Sequence, residues 1–280
     1  MNIQTALNKA YLNLKKNKIK SANLDCEILM SDVIKKDRSY IIMNQEKTLS
    51  KKDLDKFNYL IEKRKKGEPI AYLTGKKDFW KHEFKVSKDI LIPRPDSELI
   101  VEHILEFTKN RSKLNVLDIG VGSGCLLLSV LKERPNFYGV GIDINQKCIN
   151  ICKKNTLNLN ISNRTKFFKS DIDKFNCGKY DLIVSNPPYI NKLDLQYLEK
   201  DVLDFEPKIA LDGGLDGLSE IRKVIKKSSE LIKKNGKFIL EIGFDQKNKV
   251  IKLLKKEGFY INSALKDLAH NDRCIICTKI

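Results

Sequence analysis

Arginine is scarce in this chain, supplying eight of the 53 basic residues against 45 lysines. Arginine is the side chain suited to bidentate contacts with bases and phosphates. The formal net charge of +17 therefore reads as lysine-rich compositional drift, and direct nucleic-acid binding is not expected. Nor is the charge concentrated, with 16 basic and 9 acidic residues in 1–75 against 37 and 27 in 76–280. Long apolar runs are also missing. None reaches the length that a membrane-spanning helix needs, so no membrane partner is expected. The opening MNIQTALNKAYLNLKK lacks the continuous apolar segment of a secretory signal, and a cytoplasmic location fits best, with a monomer as the default. Histidines number three, and the seven cysteines form an odd, scattered set that reads as reduced thiols. Cys274 and Cys277 have the spacing of half a zinc site. There is no second such pair, and closed zinc sites need four placed ligands, so no metal is expected and the cysteines read as core packing.

What is present suggests two domains, since 280 residues with 41% hydrophobic content allow a sizeable core. Residues 1–75 read as all-helical. Ile3, Ala6, Leu7, Ala10, Tyr11 and Leu14 recur at helical spacing, a second such segment begins at Ser21, and a third runs from Ser50, with Asp53 three residues on, to Gly67. Residues 76–95 mix aromatic, β-branched and polar side chains as a β-hairpin linker would, closing on the rigid turn Pro93-Arg94-Pro95. From 96 to 280, a helix from Ser97 to about Thr108 precedes an alternation of strands and helices. Strands are predicted at 114–120, 137–143, 165–171, 180–186 and 237–243, with a helix ending on Gly236 and an antiparallel edge strand at 274–280. The fold class is α/β, a parallel sheet with helices on both faces.

Two motifs carry chemistry. The first, DIGVGSG at 118–124, follows a predicted strand and opens a helix. Gly120, Gly122 and Gly124 let the backbone turn and a ligand approach, with Val121 and Ser123 between them. Asp143 closes the next strand, where a carboxylate can hold ribose hydroxyls. A dinucleotide fingerprint has its third glycine one position later, where this chain has Cys125. The tighter Gly-x-Gly-x-Gly resembles the loop of S-adenosylmethionine-dependent methyltransferases, and hydride chemistry is the weaker option. Asp171, with Ile172 beside it, then stands where an adenine would be met.

The second motif is Asn186-Pro187-Pro188-Tyr189, at the end of the apolar run 181–185. Ligands of doubly wound sheets sit beyond the carboxyl ends of the strands, which brings Asn186 to the same crevice as the glycine loop and counts it among the cofactor contacts. A planar NH2 group is a poor nucleophile. The Asn186 side-chain oxygen and the Pro187 carbonyl can accept both its N–H bonds, orienting the nitrogen and stabilising the charge that grows on it. The prolines aim the backbone, and Tyr189 supplies a flat wall. The nitrogen becomes acidic once methylated, so no base need precede transfer. Adenine methyltransferases and protein glutamine methyltransferases both satisfy this geometry.

Further segments narrow the choice. GEPIAYLTG at 67–75, FW at 79–80, IPRP at 92–95 with Ser97-Glu98, VLDIG at 116–120, SNPPYI at 185–190 and Glu206-Pro207 form one part of the set. ALDGG at 210–214 with Asp216-Gly217, EIG at 241–243, DLA at 267–269 and NDR at 271–273 complete it. Together they resemble the bacterial and organellar release-factor glutamine methyltransferases, the HemK or PrmC family. The resemblance implies a Rossmann-like S-adenosylmethionine-dependent methyltransferase domain behind a small helical domain that helps hold the substrate. It implies methylation of the glutamine side-chain amide in the Gly-Gly-Gln loop of class 1 peptide-chain release factors. It also implies that the glycine loop, Asp143 and Asn186 contact cofactor or substrate. The chain departs from the family's pattern at Val121, where a small hydroxyl residue is common, at Ile172, where an aromatic often flanks the adenine, and at His270, which replaces a frequent glycine. A nucleic-acid adenine methyltransferase is the alternative, and it would need a region able to hold a flipped base.

Overall fold

Ile3, Ala6, Ala10 and Leu14, spaced three and four apart, are the buried face of helix α1 (Ile3–Lys16), whose start is capped by the Asn2 side chain accepting from the Thr5 N–H. The computed structural model describes all 280 residues and divides into two compact units, Met1–Lys76 with Glu199–Phe205, and Lys77–Leu198 with Glu206–Ile280.

The first unit adds α2 (Ala22–Ile34), α3 (Arg38–Met43), α4 (Lys51–Lys65) and α5 (Ile70–Thr74) to α1. Leu14, Leu29, Met30, Ile41 and Phe57 are fully buried at its centre. The short α3 and α5 escape the sequence pattern because neither is long enough to show a period. Gly67 ends the α4 turn with φ +98°, a backbone region that favours glycine. Arg64, on α4, bonds the buried Asp25 carboxylate of α2 at 2.7 Å, and its Nη1 reaches the carbonyls of Gly67 and Glu68 at 3.2 Å. At the other end of α4, the Ser50 hydroxyl accepts from the Asp53 N–H at 3.1 Å. Ser50→Ala should lower the unit's stability by about 1 kcal/mol, read from the midpoint of urea unfolding with an unchanged slope.

In the second unit, β1 (Lys76–Phe79) and β2 (His82–Lys85) form a two-stranded sheet turned at Trp80, with φ 57°. Phe79 and Phe84 meet edge to face at 6.2 Å, both buried. A short 3-10 turn, Pro95–Ser97, leads into α6 (Glu98–Phe107). The chain continues through β3 (Asn115–Ile119), α7 (Cys125–Glu133), β4 (Tyr138–Asp143), α8 (Gln146–Asn158), β5 (Thr165–Lys169) and β6 (Tyr180–Ser185). After α9 (Lys200–Phe205), which belongs to the first unit, it runs through α10 (Ser219–Leu231), β7 (Ile232–Glu241), α11 (Lys247–Lys256), β8 (Phe259–Lys266) and β9 (Asp272–Lys279). The sheet order is β5-β4-β3-β6-β7-β9-β8, parallel from β5 to β7 and antiparallel beyond. Successive side chains of β3 face opposite cores, Val116 into one and Leu117 into the other, so both sheet faces are covered.

Three sequence expectations need correction. The helix predicted to end on Gly236 ends at Leu231, and β7 already begins at Ile232. The polar run Lys233–Gly236, with Asn235 at φ 62°, is an irregularity within the β6–β7 pairing. The closing strand is not an edge. It lies between β7 and β8, and its buried centre, Cys274–Cys277, matches that interior place. The true edge, β8, mixes polar and apolar residues and gives little periodic signal. Cys274 packs in one core and Cys277 in the other, so the two thiols point away from each other. No helix is long and apolar enough to cross a membrane.

Candidate active site

The sheet changes direction at β3, whose neighbours β4 and β6 lie on opposite sides. A crevice for a ligand opens at such a switch point, beyond the strands' carboxyl ends. Here it is a cavity of about 450 Å³ bordered by Gly120–Ser123, Asp143, Asp171, Ile172 and Asn186–Pro188. The glycine loop takes positive φ at Gly120, Gly122 and Gly124, which only glycine adopts without strain. Buried Asn155 secures this loop to the hairpin, donating to the carbonyls of Ser123 and Lys85 at 2.8 and 3.1 Å and accepting from the Lys85 N–H. Gly124 does not border the cavity. A Cβ there would meet Leu128 at 3.0 Å and the Cys152 sulfur at 3.2 Å, so its role is to start α7 and pack it closely. Cys125 and Leu126 border the cavity instead.

Asp143 is shared between ligand space and loop. Its carboxylate accepts from the Gly122 N–H at 3.0 Å and the Asn145 N–H at 2.8 Å while facing the cavity. Asp171 uses one oxygen to cap the turn at Ile172–Lys174, accepting from the Asp173 N–H at 2.9 Å. Ile172 joins the cavity wall, where its side chain offers an apolar surface and no ring. Asp118, at the base of the loop, is a cavity residue that motif reading passes over. Its Oδ1 is buried without a hydrogen-bond partner, and the residue lines the cavity.

Asn186 follows β6 and donates from Nδ2 to the Ser97 hydroxyl at 3.3 Å. Tyr189 was expected as a wall of the site, yet it does not border the cavity. Its ring packs against the core formed by β6, β7 and α10, and its hydroxyl accepts from Arg273 at 3.3 Å. The turn itself is braced by the ALDGG segment. The Ile190 N–H donates to the Leu211 carbonyl at 3.1 Å and the Gly213 N–H to the Ile190 carbonyl at 2.8 Å, while Gln246 donates to the carbonyls of Tyr189 and Gly217. A Cβ at Gly213 would stand 2.9 Å from the Tyr189 backbone, so this glycine lets two chain segments touch. Arg94, another cavity residue, pairs with buried Glu206 at 2.5 Å.

Two buried carboxyls carry a pH consequence. Burial pushes Asp118 up to about 7, with the Asp143 charge adding to it, and burial likewise pushes Glu241 up to about 7. Unfolded carboxyls titrate near 4 (roughly), so between there and about 7 the folded state binds more protons than the unfolded one. Stability contributed by these groups therefore falls as pH rises across that interval. Thermal unfolding of the ligand-free protein should show this decline, and an Asp118→Asn, Glu241→Gln double variant should flatten it. An equal slope in both proteins would mean other groups dominate.

The direction change at β3, the glycine loop opening α7 and the Asn-Pro-Pro-Tyr turn after β6 define a methyltransferase of the doubly wound class. The family described as Methyltransferase small domain matches residues 95–203, and the PrmC N-terminal domain matches residues 5–75. In fold the chain is similar to a methyltransferase from Pyrococcus furiosus, with TM-score 0.53 and 19% identity over 79% of this chain and 97% of that one. It is also similar to the hMettl16 catalytic domain, solved in complex with MAT2A 3′UTR hairpin 6, with TM-score 0.58 and 14% identity over 70% and 75% of the two chains. The release factor glutamine methyltransferase of Clostridium acetobutylicum is 38% identical over 100% of this chain and 99% of its own length. That of Buchnera aphidicola subsp. Schizaphis graminum is 40% identical over 98% of each. The chain belongs to the release factor glutamine methyltransferase family.

Proposed function

We propose that the protein transfers a methyl group from S-adenosylmethionine to the side-chain amide nitrogen of the glutamine in the Gly-Gly-Gln loop of class 1 peptide-chain release factors. The observation that carries this reading is the placement of Asn186, with its carboxamide oxygen left over, on the same cavity as the glycine loop. The cofactor, when bound, supplies an electrophilic methyl on a positively charged sulfur. This chain's residues fit that molecule. The unpaired Oδ1 of Asp118 offers an acceptor to a cationic amino group, Asp143 offers carboxylate lone pairs to ribose hydroxyls, and Asp171 offers an oxygen to an adenine amino group. The Asn186 oxygen and the Pro187 carbonyl hold the substrate nitrogen by its hydrogens. Positive charge grows on that nitrogen during transfer, and both acceptors bind it more strongly as it does. The new carbon–nitrogen bond forms as the carbon–sulfur bond breaks, and one nitrogen proton then leaves to water.

The helical unit has a core of its own, which suits a role in holding the protein substrate. A cytoplasmic setting goes with a substrate drawn from translation. The test is label transfer from S-adenosylmethionine, offered separately to a class 1 release factor and to duplex DNA. Label in the factor alone supports the reading, while label in DNA adenine with the factor untouched overturns it in favour of a nucleic-acid enzyme.

A further inference from the structure

We infer that Ser97 and Glu241 are positioning residues that decide which edge of the Asn186 carboxamide meets the substrate. This rests on the reading of Asn186 given above. An amide side chain can turn over, presenting either an acceptor oxygen or a donor NH2 group to the cavity. Only the oxygen can receive a substrate N–H. A presented NH2 would repel the nucleophile's hydrogens and leave the growing positive charge without an acceptor.

The surroundings resolve this choice. Ser97 is buried, and its hydroxyl bonds the buried Glu241 carboxylate at 2.5 Å, the length of a charge-assisted O–H···O⁻ bond. Above about pH 7, where Glu241 is ionised, the carboxylate accepts and cannot donate, so there the single Ser97 proton is committed to it. The Ser97 oxygen can then only accept from Asn186, which it does at 3.3 Å from Nδ2. The carboxamide NH2 is thus drawn away from the substrate and Oδ1 is left for it. The same carboxylate faces the Tyr189 hydroxyl, which accepts from Arg273 at 3.3 Å, and Arg273 is held by Asp267 at 2.8 Å. Glu241 therefore stands behind both ends of the Asn186–Tyr189 turn. Neither Ser97 nor Glu241 needs to touch the transferred methyl for this effect.

The test compares the full-length wild type with Ser97→Ala and with Glu241→Gln, which is close to isosteric. Three quantities are measured: kcat on a class 1 release factor, the cofactor dissociation constant by calorimetry, and the NMR shifts of the Asn186 side-chain NH2, assigned through Asn186→Ala. Each variant is expected to lose kcat roughly ten-fold, the scale of one neutral hydrogen bond. The cofactor constant should stay within about two-fold of wild type, and the Asn186 NH2 resonances should move. Unchanged kcat and unmoved resonances in either variant would overturn the inference. So would a loss of kcat matched by an equal loss of cofactor affinity, which marks a scaffold role. The resonances report without turnover, so a wild type that fails to methylate the factor contradicts the proposed function and leaves this inference to be decided by the NH2 shifts.

Discussion

Asn186→Ala is expected to lower the rate of methyl transfer by about a hundred-fold or more while cofactor affinity falls far less. The asymmetry follows from what the side chain does in each state. In the ground state the substrate amide is neutral, and one acceptor more or less changes its binding modestly. In the transition state the nitrogen carries part of the positive charge released from sulfur. An acceptor placed there acts on charge that exists nowhere else on the path. Asn186 is also poised in advance, since its Nδ2 is already engaged by Ser97, and little reorganisation is left for the moment of reaction. Steady-state kinetics with calorimetry separate the two effects. A variant that kept its maximal rate and lost cofactor affinity would make Asn186 a cofactor contact only.

Asp143→Ala should instead act on the cofactor. Its carboxylate faces the cavity and already accepts from Gly122 and Asn145. On the proposed reading, removal deletes charge-assisted bonds to ribose hydroxyls, and it loosens the glycine loop that Asp143 holds through Gly122. One bond of the first kind is worth about 1.5–3 kcal/mol, so affinity for S-adenosylmethionine should fall roughly ten-fold or more. Asp143→Asn keeps an acceptor for one of the two backbone donors and should fall between. Unchanged affinity in a folded Asp143→Ala protein would remove this residue from the site.

The place of these two residues on the cavity was legible in the sequence because each sits at a junction that local rules govern. Asp143 closes a strand of regular length, and Asn186 stands where two prolines stop another. The glycine loop was equally plain, since three glycines between a strand and a helix leave few conformations to choose from. Tyr189 shows the limit of such reading. Its sequence place beside Asn186 suggests a shared surface, but the chain turns, and the ring goes to the core while the hydroxyl meets Arg273, 84 positions later. Ser97 and Glu241 are 144 positions apart and meet only because the fold brings the 3-10 turn before α6 to the end of β7. No spacing rule reaches across that distance. Gly124 was misplaced for a different reason: glycine is needed both for ligand approach and for tight helix packing, and the sequence does not distinguish the two. The start of β7 was hidden because Ile232 is followed by four polar or flexible residues before the paired run resumes at Lys237.

The most direct measurement is the position of the methyl group on the product. A class 1 release factor, its Gln→Ala variant in the Gly-Gly-Gln loop and a short loop peptide are each incubated with the protein and S-adenosylmethionine, then digested and fragmented by mass spectrometry. The account predicts a single methyl on the glutamine side-chain nitrogen of the intact factor, much slower reaction of the peptide, and none on the variant. A methyl on any other residue, or on the Gln→Ala variant, would contradict it.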